Sequence, residues 1–124
     1  HGTTYHGYYR VADLEGRPMT GRPLTTAYYH SDGAIALALE AGRVQRGAPL
    51  ADVAVLGLGA GTMACLARPM ETWTFFEIDA EVAKLARRAD LFPFLDRCTP
   101  DARIVLGDAR IKLQAETARY DAIV

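Results

Sequence analysis

The chain has 124 residues, half of them hydrophobic, with 14 Lys and Arg against 15 Asp and Glu for a formal charge of −1. This is the composition of a folded domain with one core, not of a disordered or fibrous chain. Near-neutral charge removes the electrostatic case for nucleic acid or an anionic membrane surface. The longest charge-free apolar run, Val53 to Ala67, is too short and too broken by glycine to span a bilayer.

Taken in chain order, Thr3 to Val11 is β-prone by its Thr and Tyr content, Asp13 to Pro18 supplies turn residues, and Pro23 to Tyr29 reads as a second short strand. Residues 1–30 are thus expected to form a small β-hairpin region. Ser31 and Asp32 offer an N-cap to a helix over Ala34 to Glu40, with Gly42 just past its end. From Asp52 the pattern changes. Val53 to Leu56 is an apolar run of the kind a strand buried on both faces shows. Thr62 to Arg68 is helix-compatible and stopped by Pro69, and Thr72 to Ile78 (TWTFFEI) is a strand. Asp79 can cap a helix over Ala80 to Ala89 with Val82, Leu85 and Ala86 on one face. Arg103 to Leu106 is a strand, Ala109 to Thr117 a helix, and Tyr120 to Val124 a last strand. This β-α-β-α-β-α-β order predicts an α/β, Rossmann-like, doubly wound, mostly parallel sheet over residues 31–124.

The chain opens at His1 without a basic or apolar leader and closes inside a strand, so it reads as a piece of a longer protein whose nucleotide-binding domain is truncated at its C-terminal end. Cys65 and Cys98 sit at no metal-ligand spacing and are too few for a disulfide scaffold. No metal is expected, and a reducing cytoplasm is the default compartment.

The chemistry concentrates at Leu56-Gly57-Leu58-Gly59-Ala60-Gly61-Thr62, where the first strand hands over to a helix. Glycine there permits backbone angles closed to other residues and lets a ligand approach the main chain. The spacing is G-x-G-x-G, whereas a dinucleotide fold would want G-x-G-x-x-G. Glu77, 20 residues beyond Gly57 at the end of the second strand, can accept hydrogen bonds from ribose hydroxyls. Asp108, at the end of the third, can accept from an adenine amino group or cap the following helix. Asp79 reads first as a helix cap, and Asp121 as a solvent-facing residue. No G-x-x-x-x-G-K phosphate cradle is present.

The glycine turn, the FFEID strand end, the GDAR turn and the YDAIV strand resemble the spermidine synthase family of class I S-adenosylmethionine-fold enzymes. HGTTYHG, YYHSDG and GLGAGTMA resemble its bacterial spermidine-synthase-like branch, whose members are often joined to membrane segments. The resemblance covers nearly the whole chain and implies the N-terminal half of that fold. It implies that Gly57, Gly59 and Gly61 line S-adenosylmethionine or its decarboxylated form, that Glu77 binds the ribose, and that Asp108 with Ala109 binds the adenine. It places His6, Tyr28, Tyr29 and His30 near a pocket for a small-molecule amine. The implied reaction is aminopropyl transfer to a polyamine-type amine. The alternatives are methyl transfer, a catalytically inactive binding module and, more distantly, an NAD-dependent oxidoreductase.

The family carries an acidic residue within its glycine turn where this chain has Ala60, and an apolar side chain cannot balance a ligand's ammonium group. The family's catalytic aspartate follows the YDxIV strand, beyond Val124. A homodimer, or further chain, is expected to cover the open edge of the fourth strand.

Overall fold

A computed structural model describes residues 8–124. Its elements are α1 (Ala34–Arg46), β1 (Asp52–Leu56), β2 (Thr72–Glu77), α2 (Ala80–Ala86), α3 (Phe94–Cys98), β3 (Arg103–Leu106), α4 (Ala109–Ala115) and β4 (Ala122–Ile123), with short 3-10 segments at Ala27–Tyr29 and Thr62–Leu66.

The four strands form one parallel sheet in the order β3-β2-β1-β4. Strand order therefore reverses between β1 and β4, as the alternating pattern requires. Along central β2, Trp73 and Phe75 face one side with Val53 and Val55 of β1. There they meet Leu39 of α1, Ala83 and Ala86 of α2, and Leu95 of α3. Phe76 faces the other side, where Tyr120 packs edge-on against it with centroids 6.3 Å apart. Burial on both faces explains why β1 and β2 read as apolar runs instead of alternating.

The N-terminal region departs from expectation. Residues 1–7, including most of the Thr3 to Val11 segment and His6, lie outside the described residues. The Asp13–Arg17 turn forms and is closed by one antiparallel bridge between Ala12 and Pro18, but Pro23 to Tyr29 makes no strand. It ends in a 3-10 turn, because β-propensity without a partner ladder forms nothing.

Helix α1 has Gly33, not Ser31 or Asp32, at its N-cap and runs through Gly42 to a C-cap at Gly47. That glycine takes the left-handed conformation (φ 69°), and its N–H caps the carbonyls of Arg43 and Val44. The extra turn carries Arg43, which is buried in an ion pair with Glu71 just before β2. In α2 the buried face is Ala83 and Ala86, while Leu85 is exposed.

Helix α3 was not expected. It packs Phe94 and Leu95 into the core and brings Cys98 beside Cys65 (Cα–Cα 4.9 Å), so the two cysteines form a disulfide instead of free thiols. Closing a loop across a separation of 33 residues restricts the unfolded chain by roughly 3–4 kcal/mol in the chain-entropy picture. Asp121 is also not simply solvated, since it accepts from the Ala51 N–H at 2.6 Å and pairs with Arg46. Among the described residues no helix is long and apolar enough to cross a membrane.

Candidate functional site

Three turns meet at the carboxyl ends of β1, β2 and β3. Parallel pairing makes them neighbours, and main-chain hydrogen bonds lock them together. The Gly57 N–H donates to the Phe76 carbonyl, and the Gly107 N–H to the Glu77 carbonyl, both at 2.8 Å. Gly57, Gly59, Glu77, Asp108 and Ala109 are thereby gathered along one rim.

The glycines of the first turn have two separate jobs. Gly57 (φ 100°) and Gly59 (φ 54°) adopt angles that L side chains avoid, and a Cβ on either would meet no atom within 4 Å. Among the described residues nothing stands against these two positions. At Gly61 (φ 82°) an added Cβ would come within 3.1 Å of Leu95 Cγ, so this glycine lets α3 pack closely. Just beyond it, the Thr62 hydroxyl is buried without a hydrogen-bond partner among the described residues. Such a group is normally satisfied by water or ligand.

Glu77 is 92% buried, with its carboxylate turned toward the glycine turn. Oε2 accepts from the Leu58 N–H and Oε1 from the Asp79 N–H, both at 2.9 Å. Burial by itself would raise this carboxyl's pKa. The N–H groups of Asp79, Leu58, Gly59 and Ile78 outweigh it and hold the pKa below the usual carboxylate range. The group is an anion at neutral pH, an acceptor only, with no arginine or lysine partner among the described residues. Of the four N–H groups only those of Leu58 and Asp79 make hydrogen bonds of full geometry, one to each oxygen, so each oxygen has a lone pair that a stronger donor could take.

Asp79 and Asp108 are both helix caps. Asp79 Oδ1 accepts from Glu81 and Val82, and Asp108 Oδ1 from Arg110 and Ile111. The cap leaves Asp108 Oδ2 without a hydrogen-bond donor among the described residues, with Arg110 at 3.9 Å. Next to these acceptors, Leu56, Ile78 and Leu106 are 47%, 73% and 50% exposed. The register puts Leu56 on the Phe76 face of the sheet and Leu106 on the Glu77 face, so these exposed apolar side chains flank the rim on opposite sides. The concavities elsewhere on the molecule are lined by none of Gly57, Gly59, Glu77 or Asp108. The sequence carried a signal for these three residues, an apolar side chain at or next to the last position of each strand, but nothing to say they would stay uncovered.

The weaker candidates lie apart. Tyr28 is exposed, Tyr29 packs against the core, and His30 accepts the Asp32 N–H at Nδ1 (3.1 Å). None of the three shares a hydrogen bond with the rim, and His30 instead lines a separate cavity with Cys65. Among the described residues no group of three or more His, Cys, Asp or Glu is placed to hold a metal ion.

No protein-family model matches the chain, and no curated protein matches it. Solved structures do. A Klebsiella pneumoniae protein put forward as an O-methyltransferase aligns with TM-score 0.51 and 21% identity over 72% of this chain and 39% of that one. Cofactor-bound Rv0187 from MTB aligns with TM-score 0.52 and 23% identity over 70% and 39%. The O-methyltransferase TomG from Streptomyces achromogenes, involved in tomaymycin synthesis and in complex with SAM, aligns with TM-score 0.50 and 16% identity over 70% and 40%. The chain has the Rossmann-like α/β fold of class I methyltransferases, and it spans about two-fifths of the length of these structures.

Proposed function

We propose that the chain is the adenosine-binding part of a transferase that draws on S-adenosylmethionine, and that the transferred group is methyl. One observation carries the reading: a buried, ionised carboxylate, Glu77, aimed at a glycine turn whose outer side is open and paired with no cation. Burying a charge is costly unless hydrogen bonds support it, and here only backbone donors do so.

The ribose hydroxyls would donate to the remaining lone pairs on Glu77, and the adenine amino group to Asp108 Oδ2. The ring would lie beside Ile78 and Ala109, and the main chain of Gly57 and Gly59 would lie against the remainder. When bound, the sulfonium supplies a methyl group made electrophilic by the positive sulfur. The chain's own residues hold and orient the nucleoside and keep water off one of its faces.

Ala60 leaves no carboxylate in the turn for an ammonium, which disfavours the decarboxylated ligand, whose tail is an ammonium alone, more than S-adenosylmethionine, whose ammonium sits beside its own carboxylate. The likeness to solved O-methyltransferases also favours methyl over aminopropyl transfer. Calorimetric titration with S-adenosylmethionine, its decarboxylated form and NAD tests the choice. S-adenosylmethionine is expected to bind most tightly. Preference for the decarboxylated form would restore aminopropyl transfer, and preference for NAD, or no binding at all, would overturn the S-adenosyl reading.

A further inference from the structure

A second concavity, of about 310 Å3, lies between the N-terminal segment and α3, and it shares no residue with the rim of glycine and acid. Its wall includes three arginines, Arg10, Arg22 and Arg97, and no aspartate or glutamate. Among the described residues no carboxylate lies within 4 Å of any of the three. Residues 1–7 contain no acidic residue either. Arg22 turns its guanidinium toward Cys65 and Ala67, which do not line this cavity, so in a chain of net charge −1 the wall keeps the two uncompensated charges of Arg10 and Arg97.

Two of these guanidinium groups are fixed in place. Arg97 Nη1 donates to Tyr9 Oη at 3.1 Å and to the Met19 carbonyl at 3.2 Å, and the guanidinium carbon is 5.8 Å from the Tyr9 ring centre. The Tyr9 ring is itself braced edge-on against buried Phe94, with centroids 6.2 Å apart. Arg22 Nη2 donates to the carbonyls of Cys65 and Ala67. All of these bonds run to neutral oxygens and use one nitrogen of each group. The positive charge is left unneutralised, and further N–H donors stay available. Tyr8, Tyr9 and Leu24 make the rest of the wall largely apolar.

We propose that this cavity binds a small organic anion: a carboxylate that two guanidinium forks can grip, carried on a flat apolar body that the tyrosines and Leu24 can cover. Guanidinium geometry matches a carboxylate's two oxygens, and charge-assisted pairs of this kind gain strength where apolar walls displace water. The same walls give inorganic phosphate nothing to cover, and the charge repels amines. The site does not depend on the S-adenosyl reading.

Calorimetric titration of the full chain with 2-naphthoate, 2-naphthylmethylamine and inorganic phosphate tests it. Saturable binding of naphthoate, at least tenfold tighter than the amine or phosphate, is expected. Arg97→Gln is expected to weaken naphthoate at least tenfold. Arg97 also tethers the N-terminal segment, so Arg10→Gln is the second variant. Arg10 has no hydrogen-bond partner among the described residues, and its loss should weaken naphthoate severalfold while leaving the Tm unchanged. Failure of naphthoate to bind, equal or tighter binding of the amine or of phosphate, or naphthoate affinity indifferent to both substitutions would overturn the proposal.

Discussion

Glu71 and Glu77 stand at the two ends of β2, six positions apart, and both are buried carboxylates held in the charged form. Glu71, whose side chain is fully buried, meets Arg43 in a two-pronged pair at 2.7 and 2.8 Å. It also accepts from the N–H groups of Leu50 and Arg68 and from the Trp73 indole. Its acceptor sites are filled from every side, and its charge is cancelled within the protein. Glu77 has backbone donors alone, no cation, and open space across the turn it faces. The first arrangement ties α1 to the amino end of the sheet. The second keeps a charge and lone pairs available at the carboxyl end, where open parallel sheets bind ligands.

Breaking the structural pair should produce the largest stability loss. Arg43→Met strands Glu71 in the core, and chemical denaturation should show a decrease of about 3–5 kcal/mol. If the two ends of β2 are separate in function, S-adenosylmethionine affinity of the folded variant should stay within about twofold of the parent.

Acid sharpens the same contrast. Burial would raise Glu71, but Arg43, the Arg68 N–H, Trp73 and the Leu50 N–H bring its pKa down from 4.5 to about 2. A carboxyl depressed by folding contributes stability that is complete above its unfolded pKa and is lost as pH falls through the folded one. Glu71 should therefore give up about 3 kcal/mol between pH 4.5 and 2. Glu71→Gln, though less stable at neutral pH, should show a flatter decline in that window. An unchanged slope would mean that other groups govern acid unfolding.

A smaller effect is expected at the open turn. Gly59→Ala places a side chain at φ 54° with room around it, so thermal denaturation should register a loss of only about 1–2 kcal/mol. Binding should suffer more than stability, because the added methyl group occupies the space a nucleoside needs.

Much of this was legible in the residues. The strands at Val53, Thr72 and Arg103, the caps Asp79 and Asp108, and the position of Glu77 all follow from local pattern, because each depends on neighbours within a few positions. What could not be read depends on distant partners. Glu71 follows Pro69 and Met70 with nothing local to mark it, and its role is set by Arg43, 28 positions earlier. The same Arg43 lies on the part of α1 that continues past Gly42. Helix α3 is too short to show a period, so neither its packing nor the Cys65–Cys98 bond has a local signature. Thr and Tyr gave Pro23 to Tyr29 the look of a strand, but no neighbouring strand is there to pair with it.

The most direct test compares the parent with Glu77→Gln in a titration with S-adenosylmethionine, with unfolding measured alongside. Gln keeps the size and one carbonyl acceptor but removes the charge, so a folded protein is expected, destabilised by about 1–2 kcal/mol. Its affinity for S-adenosylmethionine should fall at least tenfold. A folded Glu77→Gln protein that binds S-adenosylmethionine as tightly as the parent would show that the carboxylate only braces the turn.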